Sequence, residues 1–188
     1  MKYQINEMKE QIRNNLSQKR YEHTLGVEYT ACALAMRYGA DMEKARLAGL
    51  LHDCAKCFSD EALMEKCIAH SIPLNEFEKK APALLHAKVG AYMASHQFGI
   101  DDEEILSAIT CHTTGRPEMT LLDKIIYIAD YIEPNRKQVP DLPEIRTLAF
   151  QDLDQCLSVI LEHILNYLKT QNSVIDPMTS ATYEYYRR

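Results

Sequence analysis

The sequence predicts an all-α bundle, and three observations carry that expectation. Apolar residues recur at three- and four-residue intervals along nearly every segment. No run of β-branched residues alternates with polar ones as a half-buried strand would. Residues that start and stop helices punctuate the chain: Ser17, Asp41 and Ser59 precede periodic stretches, and Gly39 and Pro134 follow them. With 188 residues, 46% hydrophobic and 26% charged, the chain is long enough for one domain with a substantial core. The expected layout is a single domain over residues 1–188, with a core of about 18–136 and a covering helix and tail of about 144–188.

In order, the spacing predicts a short polar helix over 3–14 and a second over about 18–38, capped by Ser17 and ended by Gly39. His23, Val27, Ala31 and Leu34 share its inner face. Asp41 caps a helix of about 42–55, where Ala45, Ala48, Gly49 and His52 form a stripe small enough for close approach of a neighbour. A helix of about 60–70 follows Ser59. Pro82 opens one of about 82–98, with His86, Val89, Gly90 and Met93 on one side. Helices of about 102–113 (Ile105, Ala108, Ile109, His112) and 119–132 (Ile126, Tyr127, Asp130) come next. After a linker from Val139 to Pro143, one long helix is expected near 144–170, and the tyrosine-rich tail should pack back across the bundle.

Four histidines and two aspartates thus close apolar stripes, where a buried charge is costly unless it is paired or bound to metal. A lone histidine on such a face is usually a satisfied core residue. His23, the adjacent pair His52-Asp53, His86, His112 and Asp130 recur across facing helices, and coincidence explains that poorly. Ligands projecting inward from several helices are how bundles build metal sites. His70, His96 and His163 lack this context and read as ordinary solvated, capping or surface residues.

The bulk properties exclude several classes. A net charge of −6 argues against a nucleic-acid-binding surface, though not against a small anionic substrate held by local cations. No stretch approaches the roughly 20 apolar residues that span a bilayer. The first residues, MKYQINEMKEQIRNN, are polar and of mixed charge, so a cytoplasmic protein is expected. The six cysteines, Cys54-x-x-Cys57 among them, read as reduced core residues without a redox framework.

The order His23, His52-Asp53, Asp130 resembles the HD superfamily of metal-dependent phosphohydrolases, and His86 and His112 match its two-metal subset. The segments RYEHTLGV, AGLLHDCAK, LLHAKVGA, AITCHTTG and IIYIADYIEPNR together resemble the YqeK-type symmetrical diadenosine tetraphosphate hydrolases over about residues 20–136. The resemblance implies an HD-domain helical bundle with an inward-facing dinuclear site. One ion would sit on His23, His52, Asp53 and Asp130 and a second on His86 and His112, with Asp53 bridging. Imidazole and carboxylate ligands suit iron, manganese, cobalt or nickel; the family favours two irons. It also implies symmetrical cleavage of a dinucleoside tetraphosphate to two nucleoside diphosphates, and a homodimer would fit it.

In such a reaction two ions would supply a nucleophilic water for attack on an inner phosphorus, and the nucleoside diphosphate expelled, already a stable anion, would need no dedicated acid. Asp53 and Lys56 are the expected catalytic residues, Lys56 as a phosphate clamp one turn after Asp53. Arg20, one turn before His23, and Arg136, after the Asp130 helix, could reach the polyphosphate. Thr113, Thr114 and Gly115 could offer hydroxyl and backbone N–H groups, and the family uses this HTxG segment at its nucleotide site. Tyr127, Tyr131 or a tail tyrosine could stack on a base. A cyclic-dinucleotide phosphodiesterase would need a Gly-Tyr-Pro signature where this chain reads HTTGRPEM. A mononuclear HD nucleotidase would not need His86 and His112. A nucleotide-sensing HD module without activity would be expected to have lost ligands.

Overall fold

The computed structural model describes residues 4–136 and 140–187, all of whose regular elements are helical. Tyr3 and Val139, at the edges of an expected helix and linker, lie outside them. The helices are α1 (Ile5–Asn15), α2 (Gln18–Tyr38), α3 (Met42–Leu51), α4 (Asp60–Ala69), α5 (Glu76–Lys80), α6 (His86–His96), α7 (Glu103–Cys111), α8 (Leu121–Ile132), α9 (Leu142–Ala149), α10 (Leu153–Thr170) and α11 (Pro177–Tyr186); a 3₁₀ turn, Pro82–Leu85, precedes α6.

Local chemistry explains most boundaries. The Ser17 hydroxyl accepts from Arg20 N, Asp41 from Glu43 N and Lys44 N, and Ser59 from Ala62 N, satisfying N–H groups that a helix start leaves unpaired. Gly39, at φ +71°, ends α2 in the left-handed conformation. Thr120 and Asp123 form a reciprocal capping box on α8. The same Asp123, fully buried, accepts from the Ser107 hydroxyl on α7 and from Arg116 Nε and Nη2 (3.2 and 2.7 Å), tying α7, the loop after it and α8 together.

α8 is the centre. Leu122, Ile125, Ile126, Tyr127, Ile128, Ala129 and Ile132 are all buried, leaving little of the helix to solvent. α2, α3 and α7 pack on one side of it, α9 and α10 on another; α6 lies against α7, and α11 against α10. α2 and α3 approach so closely that a Cβ at Gly49 would stand 3.0 Å from Glu28 Cα. Glu28, buried on α2, holds Arg46 of α3 (2.9 Å) and Lys9 of α1 (2.8 Å). No helix among the described residues is long and apolar enough to cross a membrane.

Several expectations are corrected. α1 is not merely polar, since it buries Ile5, Met8 and Ile12. The helix expected over 42–55 stops at Leu51; His52 caps it and the chain continues in tight turns, Cys54 N to Leu51 O and Lys56 N to Asp53 O. The stretch 82–98 is a 3₁₀ turn followed by α6. The long helix expected at 144–170 is broken between Ala149 and Leu153, because the Asp152 side chain caps Gln155 N and starts α10 afresh. Two helices were missed. α5 has the capping box Asn75/Glu78, and α11 lies within the tail, where Asp176 caps and Pro177 occupies the first turn. The tail does pack back on the bundle: the Thr182 hydroxyl lies 3.2 Å from the Thr114 carbonyl, and Tyr186 accepts from Met119 N.

Candidate metal centre

His52 and His112 occupy the residue after the last turn of α3 and α7. Each imidazole turns back, so that its Nδ1 lies 2.7 Å from the carbonyl three residues earlier, Gly49 O and Ile109 O. His86, at the end of the 3₁₀ turn, does the same with Ala83 O. These are carbonyls that a helix end leaves short of N–H partners. A carbonyl only accepts, so in His52 and His112 Nδ1 carries the proton and Nε2 presents a lone pair; His86 Nδ1 also faces the Lys56 ammonium, a donor, at 3.0 Å. In His23 the Nδ1 faces Glu133 Oε1 at 3.1 Å. Four rings are therefore locked from behind with Nε2 pointing into one buried space. An outer partner that fixes tautomer and direction in this way accompanies metal-ligating histidines.

The six expected residues are brought together there. Asp53 is the hub: its Oδ2 lies 3.8 Å from His23 Nε2 and 3.5 Å from His52 Nε2, while its Oδ1 lies 3.2 Å from His86 Nε2 and 3.6 Å from His112 Nε2. Asp130 Oδ1 lies 3.0 Å from His23 Nε2 and 3.9 Å from His52 Nε2. Two sets could hold a metal ion, His23 with His52 and Asp130, and His52 with Asp53 and His112.

The donor set fits cations better than it fits itself. His86 Nε2 and His112 Nε2 stand 3.0 Å apart across the buried space. Burial above all pushes His86 down to about 4, beyond what Asp53 restores, which keeps its ring neutral near pH 7. Neither His23 Nε2 nor His52 Nε2 has a hydrogen-bonding partner, although carboxylate oxygens are near both. Burial disfavours charge on Asp53, but the surrounding histidines hold its carboxyl well below the usual range. Asp130 is likewise lowered against burial, chiefly by His23. Ionised carboxylates and a neutral His86 are states suited to binding metal, whereas Asp130 and Glu133 raise the His23 pKa against burial.

The family model for the HD domain matches residues 20–135. The chain belongs to the HD domain family. Two relatives named symmetrical bis(5'-nucleosyl)-tetraphosphatase are close to it. The one from Halalkalibacterium halodurans is 45% identical over 92% of this chain and 91% of its own length. The one from Bacillus subtilis is 42% identical over 93% and 92%. A crystal structure of an HD superfamily hydrolase from Clostridium acetobutylicum superposes with a TM-score of 0.95 at 40% identity, covering 98% of this chain and 97% of that one.

Around this HD site stand the expected cations. Arg20 Nη1 contacts Asp53 Oδ2 at 2.7 Å, and Arg136 Nη2 contacts Asp130 Oδ1 at 2.9 Å. Both guanidinium side chains are about two-fifths exposed, so each reaches from a carboxylate to solvent. Lys56 Nζ is half-buried, 3.0 Å from His86 Nδ1, and burial chiefly lowers its pKa. Thr113, Thr114 and Gly115 leave α7 directly after His112 and line a cleft of about 230 Å³ with Lys88, Arg116 and Met178.

Other candidates fall away. Tyr127 is 3% exposed and has no face to offer a base. Tyr186 is buried with its hydroxyl engaged, whereas Tyr131 and Tyr183 are half-buried and Tyr185 is exposed. His70 and His96 are exposed and stack on the two sides of Tyr92. Burial raises the pKa of Cys54 and Cys57, and both are free thiols, so the Cys-x-x-Cys spacing carries no activated pair. Sequence reasoning missed Glu133 and Asp123. A carboxylate at a helix end reads as solvated unless the tertiary neighbours are known.

Proposed function

We propose that this protein hydrolyses dinucleoside tetraphosphates symmetrically, diadenosine tetraphosphate to two ADP, at a site holding two divalent transition metal ions. The observation that carries the reading is the division of Asp53: one oxygen faces His23 and His52, the other His86 and His112. That is the disposition of a carboxylate shared by two cations. His23, His52, Asp53 and Asp130 would hold one ion, and His86 and His112 with Asp53 the other. The all-N,O donor set suits iron first, by family precedent, and also manganese, cobalt or nickel. The names of the relatives supply the substrate class.

Two bound ions would make water acidic near neutral pH and offset charge on the phosphoryl oxygens. The chain's own groups do the rest. The four anchored imidazoles and two carboxylates hold donor geometry without reorganising, which is where preorganised sites gain most. Arg20 and Arg136, each bonded to a site carboxylate and open to solvent, receive the anionic chain of the substrate. Lys56 supplies a third positive charge from the His86 side. The loop Thr113-Thr114-Gly115, directly after His112, would offer hydroxyl and backbone N–H groups to sugar or base. The same proposal includes a cytoplasmic enzyme acting on a small nucleotide, with no nucleic-acid partner, as a possible homodimer in one domain over 1–188.

Incubation with diadenosine tetraphosphate and ferrous or manganous ion should yield ADP as sole nucleotide product. ATP plus AMP would contradict the symmetrical cut, and no turnover would leave a nucleotide-binding module. Asp53→Ala should lose turnover and metal together; an active Asp53→Ala enzyme removes Asp53 from the site.

A further inference from the structure

His23 differs from the other three histidines in how it is held. It lies inside α2, where the carbonyls of the preceding turn are consumed by helix hydrogen bonds, so none is free for its Nδ1. The partner comes from another element. Glu133, the first residue after α8, is 1% exposed; its Oε1 faces His23 Nδ1 at 3.1 Å and its Oε2 accepts from Asn135 N at 2.7 Å. A carboxylate accepts at both ends. A carboxamide would satisfy one and present a donor to the other.

Two further features serve this contact. Gly26, one turn after His23 on α2, leaves the space that the carboxylate fills: a Cβ there would overlap Glu133 Oε2 and stand 3.1 Å from its Cδ. Arg146 of α9 clamps the backbone that carries Glu133, with Nη2 on Glu133 O at 2.7 Å and Nε on Ile132 O at 2.8 Å.

We propose that Glu133 is the positioning residue of the His23 ligand, seated by the gap at Gly26 and by the Arg146 clamp. The carboxylate accepts the Nδ1–H hydrogen bond, which fixes that tautomer and directs the Nε2 atom toward Asp130 and Asp53. The inference rests on the cluster being a metal centre.

The test is Co(II) titration of the metal-free protein, followed by visible absorption and chelator competition, alongside the metal-free thermal midpoint. Glu133→Gln should weaken one of two Co(II) ions by about 10- to 100-fold, with the other ion and the metal-free midpoint little changed. Gly26→Ala should reproduce that loss, and should add nothing in a Glu133→Ala background, where the overlap is gone. Wild-type affinity for both ions in Glu133→Gln would overturn the proposal. So would equal weakening of both ions in step with a fallen metal-free midpoint, since that marks a purely structural role. An equal Gly26→Ala effect in both backgrounds would overturn the part assigned to Gly26. Wild-type protein that binds no Co(II) would remove the metal centre itself, whereas bound Co(II) indifferent to Glu133 sinks this inference alone.

Discussion

His86 shows at the residue scale how burial sets the charge of an imidazole. Its imidazole is 2% exposed and sits beside His112 and Lys56, and burial is the main reason it is pushed down to about 4. The sign of the consequence follows. An unfolded histidine takes up a proton near its ordinary value, 6.5, and the native one resists until about 4. The metal-free fold therefore has its full His86 contribution above pH 6.5 and loses it as pH falls toward 4. At about 1.4 kcal/mol per pH unit, the whole effect is about 3 kcal/mol. His23 is shifted upward by Asp130 and Glu133 against burial, so its contribution is present below 6.5 and lost as pH rises. Comparison of metal-free wild type with His86→Asn cancels His23 and isolates the first effect. In urea unfolding the wild type should lose about 3 kcal/mol relative to the variant between pH 6.5 and 4. A difference that stays flat with pH would contradict this account.

At the element scale, most of the site is built from places where helices end, with His23 inside α2 and Asp130 inside α8 as the exceptions. α3 and α7 stop at His52 and His112, α6 begins at His86, and Glu133 follows α8. Ends carry unpaired backbone groups and abrupt changes of direction, so they can both orient an imidazole and aim successive residues inward. Side chains 100° apart on a continuous helix could not do so. The joint between α7, its loop and α8 depends on Asp123. Asp123→Ala leaves the Ser107 hydroxyl, Thr120 N and Arg116 without their acceptor. We expect a loss of about 1–3 kcal/mol in unfolding free energy, toward the lower end because Arg116 is half-exposed and can hydrate. Metal content should persist, as Asp123 touches no ligand. A midpoint equal to wild type would show that the joint is held by packing alone.

For the whole molecule, the bundle brings six polar groups into an interior otherwise lined largely by Leu, Ile and Ala. The ionised carboxylates of Asp53 and Asp130 then repel each other. Metal binding is therefore coupled to stability. Chelation should lower the thermal midpoint while leaving a cooperative transition, because the apolar core does not involve the site. Restoring Mn(II) or Co(II) at about 100 times its dissociation constant should return about 2.7 kcal/mol per ion. A midpoint that chelator and metal leave unmoved would argue against ions in the native fold.

Periodicity was enough to find the helices that carry the ligands, and the placing of His23, His52-Asp53, His86, His112 and Asp130 on apolar stripes was enough to nominate them. Those signals are local: burial selects every third or fourth residue, and a cap needs one side chain within three positions. What the chain order could not reveal depends on distance in space. Glu133 and Gly26 are joined across 107 positions of sequence, and each looks ordinary alone. The break at Asp152, the end of α3 at Leu51 and the buried state of Tyr127 were likewise decided by packing, which overrides propensity when a turn or an apolar face finds a better partner elsewhere. The sequence by itself nominated the six groups and the segments that carry them. Only the tertiary structure decided which oxygen of Asp53 faces which histidines, because that depends on how separate helix ends converge.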